Sequence, residues 1–180
     1  MIRSFLRRHR LLLINVTSAS GCLATSDFCV QNFYEKKKSL DDKRLVAALA
    51  TGAVMGAEAH IWFPFLDRLI VHPTWRNVFK KVLLDQTMAA PIFTLTYIVG
   101  TSILEGRTSY RELVKDTQTN FLPLYIADTL IYIPIQIINF KYIPAFYRVP
   151  FLSFVAFIFD CFISAYKHKP QEIHVHTKHE

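Results

Sequence analysis

The 180-residue chain has three cysteines and five glycines, and none of its 21 Lys and Arg residues falls inside a long apolar run. Cys22, Cys29 and Cys161 are odd in number and lack paired ligand spacing, which excludes a disulfide framework and a cysteine zinc site and leaves small packing residues. A Gly-rich phosphate loop, a nucleophile elbow, a His-Glu-x-x-His helix and a Cys-x-x-Cys pair are all missing, so the sequence offers no enzyme chemistry, no cofactor and no metal site. The formal charge of +7 comes without a finger, winged or base-stacking motif, which argues against sequence-specific DNA binding.

Long apolar runs are what the chain does have. Residues 11–34, 45–66, 82–104, 121–140 and 149–166 each approach the roughly 17–25 residues that cross a bilayer. With 52% hydrophobic residues and a mean hydropathy of +0.23, clustered in runs rather than spaced as stripes, the chain reads as an all-α integral membrane protein, a bundle of four to five transmembrane helices. Residues 11–167 form the membrane domain. Arg148 and Pro150 at the start of the fifth run leave four crossings as well as five open.

Residues 1–10 hold four arginines and no acid. Coiled as a helix they set Arg3, Arg7 and Arg10 on one face, the pattern of a mitochondrial targeting segment. The sequon at Asn15 and the small residues at 18–21 support a competing secretory reading. Residues 168–180 form a polar tail whose His168, His174, His176 and His179 are interrupted by Lys and Glu, and this tail is expected to be disordered. Basic residues divide almost evenly between the two sides of a five-span bundle, so the positive-inside rule gives no orientation. Most of them suit lipid headgroups, and phosphate binding at one exposed face is the other use of such loops.

Each run carries one acid: Asp27, Glu58, Asp85, Asp128 and Asp160. A charge in a membrane helix costs several kcal/mol, on the order of 3, so these groups are expected to face protein or water. Ala48, Gly52, Gly56 and His60 recur every four residues, a small-residue ladder for close helix packing. Glu58 with His60 could hold a proton or cation, or bond to a neighbouring helix. Asp27 and Gln31 share a helix face. Asp85 lies one turn from Lys81 and is expected to pair with it. Asp128, Gln136 and Asn139 bracket Pro134, whose missing amide would kink the helix and free carbonyls beside polar side chains.

The run His60-Ile-Trp62-Phe63-Pro-Phe-Leu66-Asp67-Arg68, then Lys80-Lys81-Val-Leu-Leu-Asp85-Gln86 and Pro91, resembles the signature of the Mpv-seventeen and peroxisomal-membrane-protein-twenty-two family. Glu105-Gly106, Ala127-Asp128, Gln136-Ile-Ile-Asn139-Phe140, Ile143-Pro144 and Arg148-Val149 continue it in order, and Asp27 with Gln31 is similar to its amino-terminal pair. The likeness covers residues 21–167. Thr129, Tyr132 and Phe159 stand where tryptophan is usual, Ala57 replaces a common proline, and Pro134 comes one residue late.

The resemblance implies a mitochondrial inner-membrane protein, with the peroxisomal membrane as the other location. The continuation through Leu66-Asp67-Arg68 and Leu104-Glu105-Gly106 is most like the branch of Mpv-seventeen-like protein two, which implies support of mitochondrial ribosome assembly and translation, with basic loops touching the ribosome or its assembly intermediates. Other branches imply a channel or a metabolite-permeation role, in mitochondria or peroxisomes; read as a cation-preferring channel, the chain would line its path with Glu58, Asp128 and Asp160, and a kink at Pro134 would help open it. The lipid bilayer is the partner common to both readings, and a homo-oligomer is compatible with either.

Overall fold

The computed structural model describes residues 9–34, 41–104 and 109–167. Most of the targeting-like segment 1–10 and the tail 168–180 lie outside the described residues, as does the Glu105-Gly106 pair. Among the described residues the structure is helical with no strand. Helix α1 spans Arg10–Cys29 and runs into a π-helical turn at Val30–Tyr34; α2 spans Asp42–Leu69. The third rod has two parts, α3 at Trp75–Leu84 and α4 at Ala90–Leu104, joined by a π-helical turn at Asp85–Ala89. Helix α5 spans Tyr110–Tyr142, and α6, entered through a short 3-10 turn at Ala145–Tyr147, spans Arg148–Lys167.

Four helical rods among the described residues are long and apolar enough to cross a membrane: Arg10–Asn32, Asp42–Leu69, Trp75–Ile103 and Tyr110–Tyr142. At 1.5 Å per residue the 33 residues of α5 reach about 50 Å, beyond the ~30 Å hydrocarbon core, so its polar first three turns project past the membrane. The twenty residues of α6 pack along α1.

Local chemistry explains the boundaries. Asp41 caps α2 by accepting a hydrogen bond from the Arg44 amide at 3.2 Å, and Thr74 caps α3 by accepting from the Asn77 amide at 3.4 Å. Residues 75–81, expected as part of a connection, are therefore helix, with Val78, Lys81 and Val82 buried along one face. Pro91 gives a cause for the π turn before it. A proline ring crowds the carbonyl four residues back, here that of Thr87, and the helix widens there. Pro134 does not break α5, which runs on uninterrupted to Tyr142 with the proline on its exposed side.

The helices form a ring: α1 packs between α2 and α6, α4 between α2 and α5, and α5 meets α6 at few positions. The α1–α2 contact is the tightest. A Cβ on Gly52 would lie 2.7 Å from the Ser20 Cα, and one on Gly56 2.7 Å from the Asn15 carbonyl oxygen. The ladder of Ala48, Gly52 and Gly56 thus brings two backbones together, as van der Waals packing in lipid favours. His60 ends the ladder 3.4 Å from the Asn15 side chain, and the burial of Asn15 against α2 removes the glycosylation reading of that sequon.

Candidate functional site

Polar groups inside the bundle gather in three places. At the end where α1 leaves and α2 begins, Gln31 donates to Asp27 at 2.7 Å and accepts from the Asp41 amide at 2.7 Å, while Arg44 pairs with Asp27 at 2.5 Å. This constellation ties the α1–α2 hairpin and leaves no free group on Gln31 for chemistry.

At the opposite end, Asp67 on α2 binds Lys81 of α3 at 2.5 Å and Arg148 of α6 at 2.6 Å. Both cations are almost fully buried and lie over the Phe140 ring, the lysine ammonium 5.8 Å and the guanidinium carbon 5.3 Å from its centroid. The sequence-based pairing of Asp85 with Lys81 is therefore corrected: Lys81 turns toward Asp67, one helix away. The physical reason is that the Asp85 oxygens are already occupied by amide and indole donors, while an Asp67 oxygen lies within reach of the ammonium.

Those donors define the third place, in the middle of the bundle. The Trp62 indole donates to one Asp85 oxygen at 2.8 Å, and the Gln136 and Gln86 amides donate to the other at 2.7 and 3.4 Å. Asn139 buttresses Gln136 by donating to its amide oxygen at 2.9 Å, and the Tyr125 hydroxyl donates to the Gln86 carbonyl at 2.8 Å. Three helical segments, α2, α5 and the π turn itself, thus converge on one buried carboxylate, held in the π turn where helices frequently carry functional groups.

Asp85, Gln86, Asp128 and Gln136 line one cavity of about 180 Å³, together with residues from α1, α2 and α6. Apart from these groups and Ser153 the wall is mainly apolar and aromatic, and toward the Arg148 end it merges into the core of Phe63, Leu66, Val82, Phe140 and Val149. Among the described residues no hydrogen bond or ion pair reaches Asp128. A pocket of this kind, with few polar groups converging on an apolar wall, is the usual form of a small-molecule site.

The other expected site residues lie elsewhere. Glu58 does not line the cavity; it accepts from the Thr96 hydroxyl at 2.7 Å between α2 and α4. It is not paired with His60 either, since His60 turns to Asn15 on α1. Two residues apart on a helix differ by about 200 degrees in direction, so the pair cannot converge. The backbone of Asp160 belongs to α6, and its side chain lies outside the described residues. Trp62, Asp67, Lys81 and Arg148 were not expected as interior polar partners. An indole N–H within an apolar run was the one local signal, because a buried tryptophan needs an acceptor.

Comparison with known proteins gives a consistent picture. Residues 102–164 match the model of the Mpv17 / PMP22 family. PXMP2/4 family protein 4 of Dictyostelium discoideum is 31% identical, over 81% of this chain and 80% of its own length. Mpv17-like protein of Xenopus laevis is 30% identical over 88% of this chain and 77% of its own. Mitochondrial inner membrane protein Mpv17 of Caenorhabditis briggsae is 28% identical over 91% of each. No solved structure matches.

Proposed function

The chain belongs to the Mpv17 / PMP22 family and is a mitochondrial inner-membrane protein, and from that premise we propose that it is a non-enzymatic, cation-preferring permeation protein. The observation that carries this reading is the cavity, where two carboxylates on different helices, Asp85 and Asp128, share a wall with no cationic residue among the described residues lining it. Asp85 acts as a fixed negative charge because its donors hold it in place; Asp128 is the group left to meet a solute. Rings of acidic side chains select cations in pores through this field.

The test is conductance of the purified protein in a planar bilayer. Asp128→Asn is expected to lower the preference for cations over anions while single-channel openings persist. Unchanged selectivity would remove Asp128 from the path, and no conductance by the unmodified protein would end the reading.

Support of ribosome assembly is a second reading, favoured by the exposed Arg68, Arg76 and Lys80 grouped at one end of the bundle. Phosphate contacts weaken as salt rises. Co-sedimentation of the solubilised protein with mitochondrial ribosomal particles at low salt, lost at raised salt, is its expected result, and free migration at both salt concentrations is the result against it.

A further inference from the structure

The geometry points to a small organic ammonium, a protonated primary amine with an apolar body of a few carbons, as the occupant of the cavity lined by Asp128 and Gln86. This names the solute class of the site proposed above and rests on that reading only for how the solute enters and leaves.

Charge excludes most other occupants. Among the described residues lining the cavity none is Lys, Arg or His, so a phosphate or carboxylate would meet two acids without a counter-charge from them. Hydrogen bonding narrows it further. Asp85 already receives three N–H donors, whereas Asp128 receives none among the described residues. Gln86 is only 6% exposed, and its side-chain oxygen is buried without a partner because its amide nitrogen is turned to Asp85. A buried acceptor left empty costs about 1–3 kcal/mol, so this oxygen stands ready for a donor. An ammonium group has three donors and no acceptor, matching one free carboxylate and one free amide oxygen.

The remaining wall decides between an inorganic ion and an organic one. Phe63, Phe93, Tyr132 and Phe157 line the cavity with aliphatic neighbours such as Leu23 and Leu152. Hard cations take about six or more oxygen ligands, which this wall does not supply. An alkylammonium needs only two or three acceptors, its chain fills apolar space, and aromatic faces attract its charge. The cavity of about 180 Å³ lies below the ~300–1,000 Å³ of drug-sized sites and suits a body of a few carbons.

The experiment is titration calorimetry on the full chain in lipid nanodiscs, with n-butylammonium chloride as probe and 1-butanol and sodium chloride as comparators. Saturable binding of butylammonium is expected, with butanol weaker by about tenfold or more, the worth of a charge-assisted hydrogen bond, and with sodium failing to displace it. Asp128→Asn and Gln86→Leu should each weaken binding, the first by about tenfold or more. Equal binding of butanol and butylammonium, displacement by sodium, or no saturable heat would overturn the inference on the unmodified protein, whatever the variants do. The two proposals separate cleanly: butylammonium binding without conductance removes permeation and keeps the site, whereas conductance without butylammonium binding removes the ammonium and keeps permeation.

Discussion

Among single residues described, Asp67 joins distant parts of the chain, since one carboxylate serves two cations drawn from helices 14 and 81 positions away in sequence. Removing it as Asp67→Ala leaves Lys81 and Arg148 buried with no counterion. Loss of one partner of a buried pair costs about 3–5 kcal/mol. Lys81→Met leaves Arg148 in its two contacts with Asp67, at 2.7 and 2.6 Å, and should cost less. Thermal unfolding in detergent, followed by tryptophan fluorescence, is expected to rank wild type above Lys81→Met above Asp67→Ala; an Asp67→Ala protein as stable as wild type would show that the cluster contributes nothing. The acids themselves were legible in the sequence, because a carboxylate in an apolar run has few explanations. Their partners were not. Which of two aspartates Lys81 meets depends on the distant donors that fill Asp85, among them Gln136, 51 residues away, and no local spacing reports such a contact. Lys81 and Arg148 lie at the borders of apolar runs where loop charges are expected, yet both are buried interior groups.

Between elements, the α1–α2 crossing is the joint on which the ring depends, and its glycines differ sharply from the one nearby that is not in it. A side chain at Gly52 or Gly56 would drive into the backbone of α1, whereas a Cβ on Gly21 meets nothing within 4 Å. Gly56→Leu should push α1 away and destabilise by at least the ~1–3 kcal/mol typical of overpacking. Gly21→Ala should be neutral or stabilise by up to about 1 kcal/mol, from helix propensity alone. Melting temperatures of the two variants in the same detergent check this, and equal effects would mean that the ladder is not a packing surface. This joint was readable from a four-residue repeat of small side chains, as the apolar runs were readable as helices. The third rod was not readable as it is. Residues 75–81, rich in charged and polar groups, read as part of a connection, yet α3 at Trp75–Leu84 buries Val78, Lys81 and Val82 and continues through a π turn into the rest of the apolar run. Pro134 misled in the other direction. A proline on the exposed side of a long helix frees a carbonyl without ending the helix, so the break expected beside Gln136 is replaced by an uninterrupted continuation that carries Gln136 and Asn139 to Asp85.

For the molecule as a whole, the distribution of side chains is inverted relative to a protein that folds in water. Ile61, Leu83, Leu130 and Phe154 face outward, while Gln31, Lys81, Asp85 and Asn139 are buried. Outside, lipid is the only solvent in which such a surface is stable; inside, the hydrogen bonds of the three polar clusters satisfy most of what lipid cannot, the side-chain oxygens of Gln86 and Asn139 excepted. The ring is therefore expected to hold water only at the cavity, and α6 offers a test of that with two adjacent residues. Ser153 lines the cavity and is 9% exposed, whereas Phe154 is 57% exposed on the outer surface. With Cys22, Cys29 and Cys161 replaced by Ser, Ser153→Cys in membrane vesicles should react with a cationic, water-soluble thiol reagent, and more slowly with an anionic one because Asp85 and Asp128 share the wall. Phe154→Cys should react with neither, since thiolate forms poorly in hydrocarbon. A protein exposed to water on its outer face would reverse the order, with Phe154→Cys the faster. Silence at both positions would mean a dry cavity, and the path proposed through Asp128 would then lack the water that any cation crossing it requires.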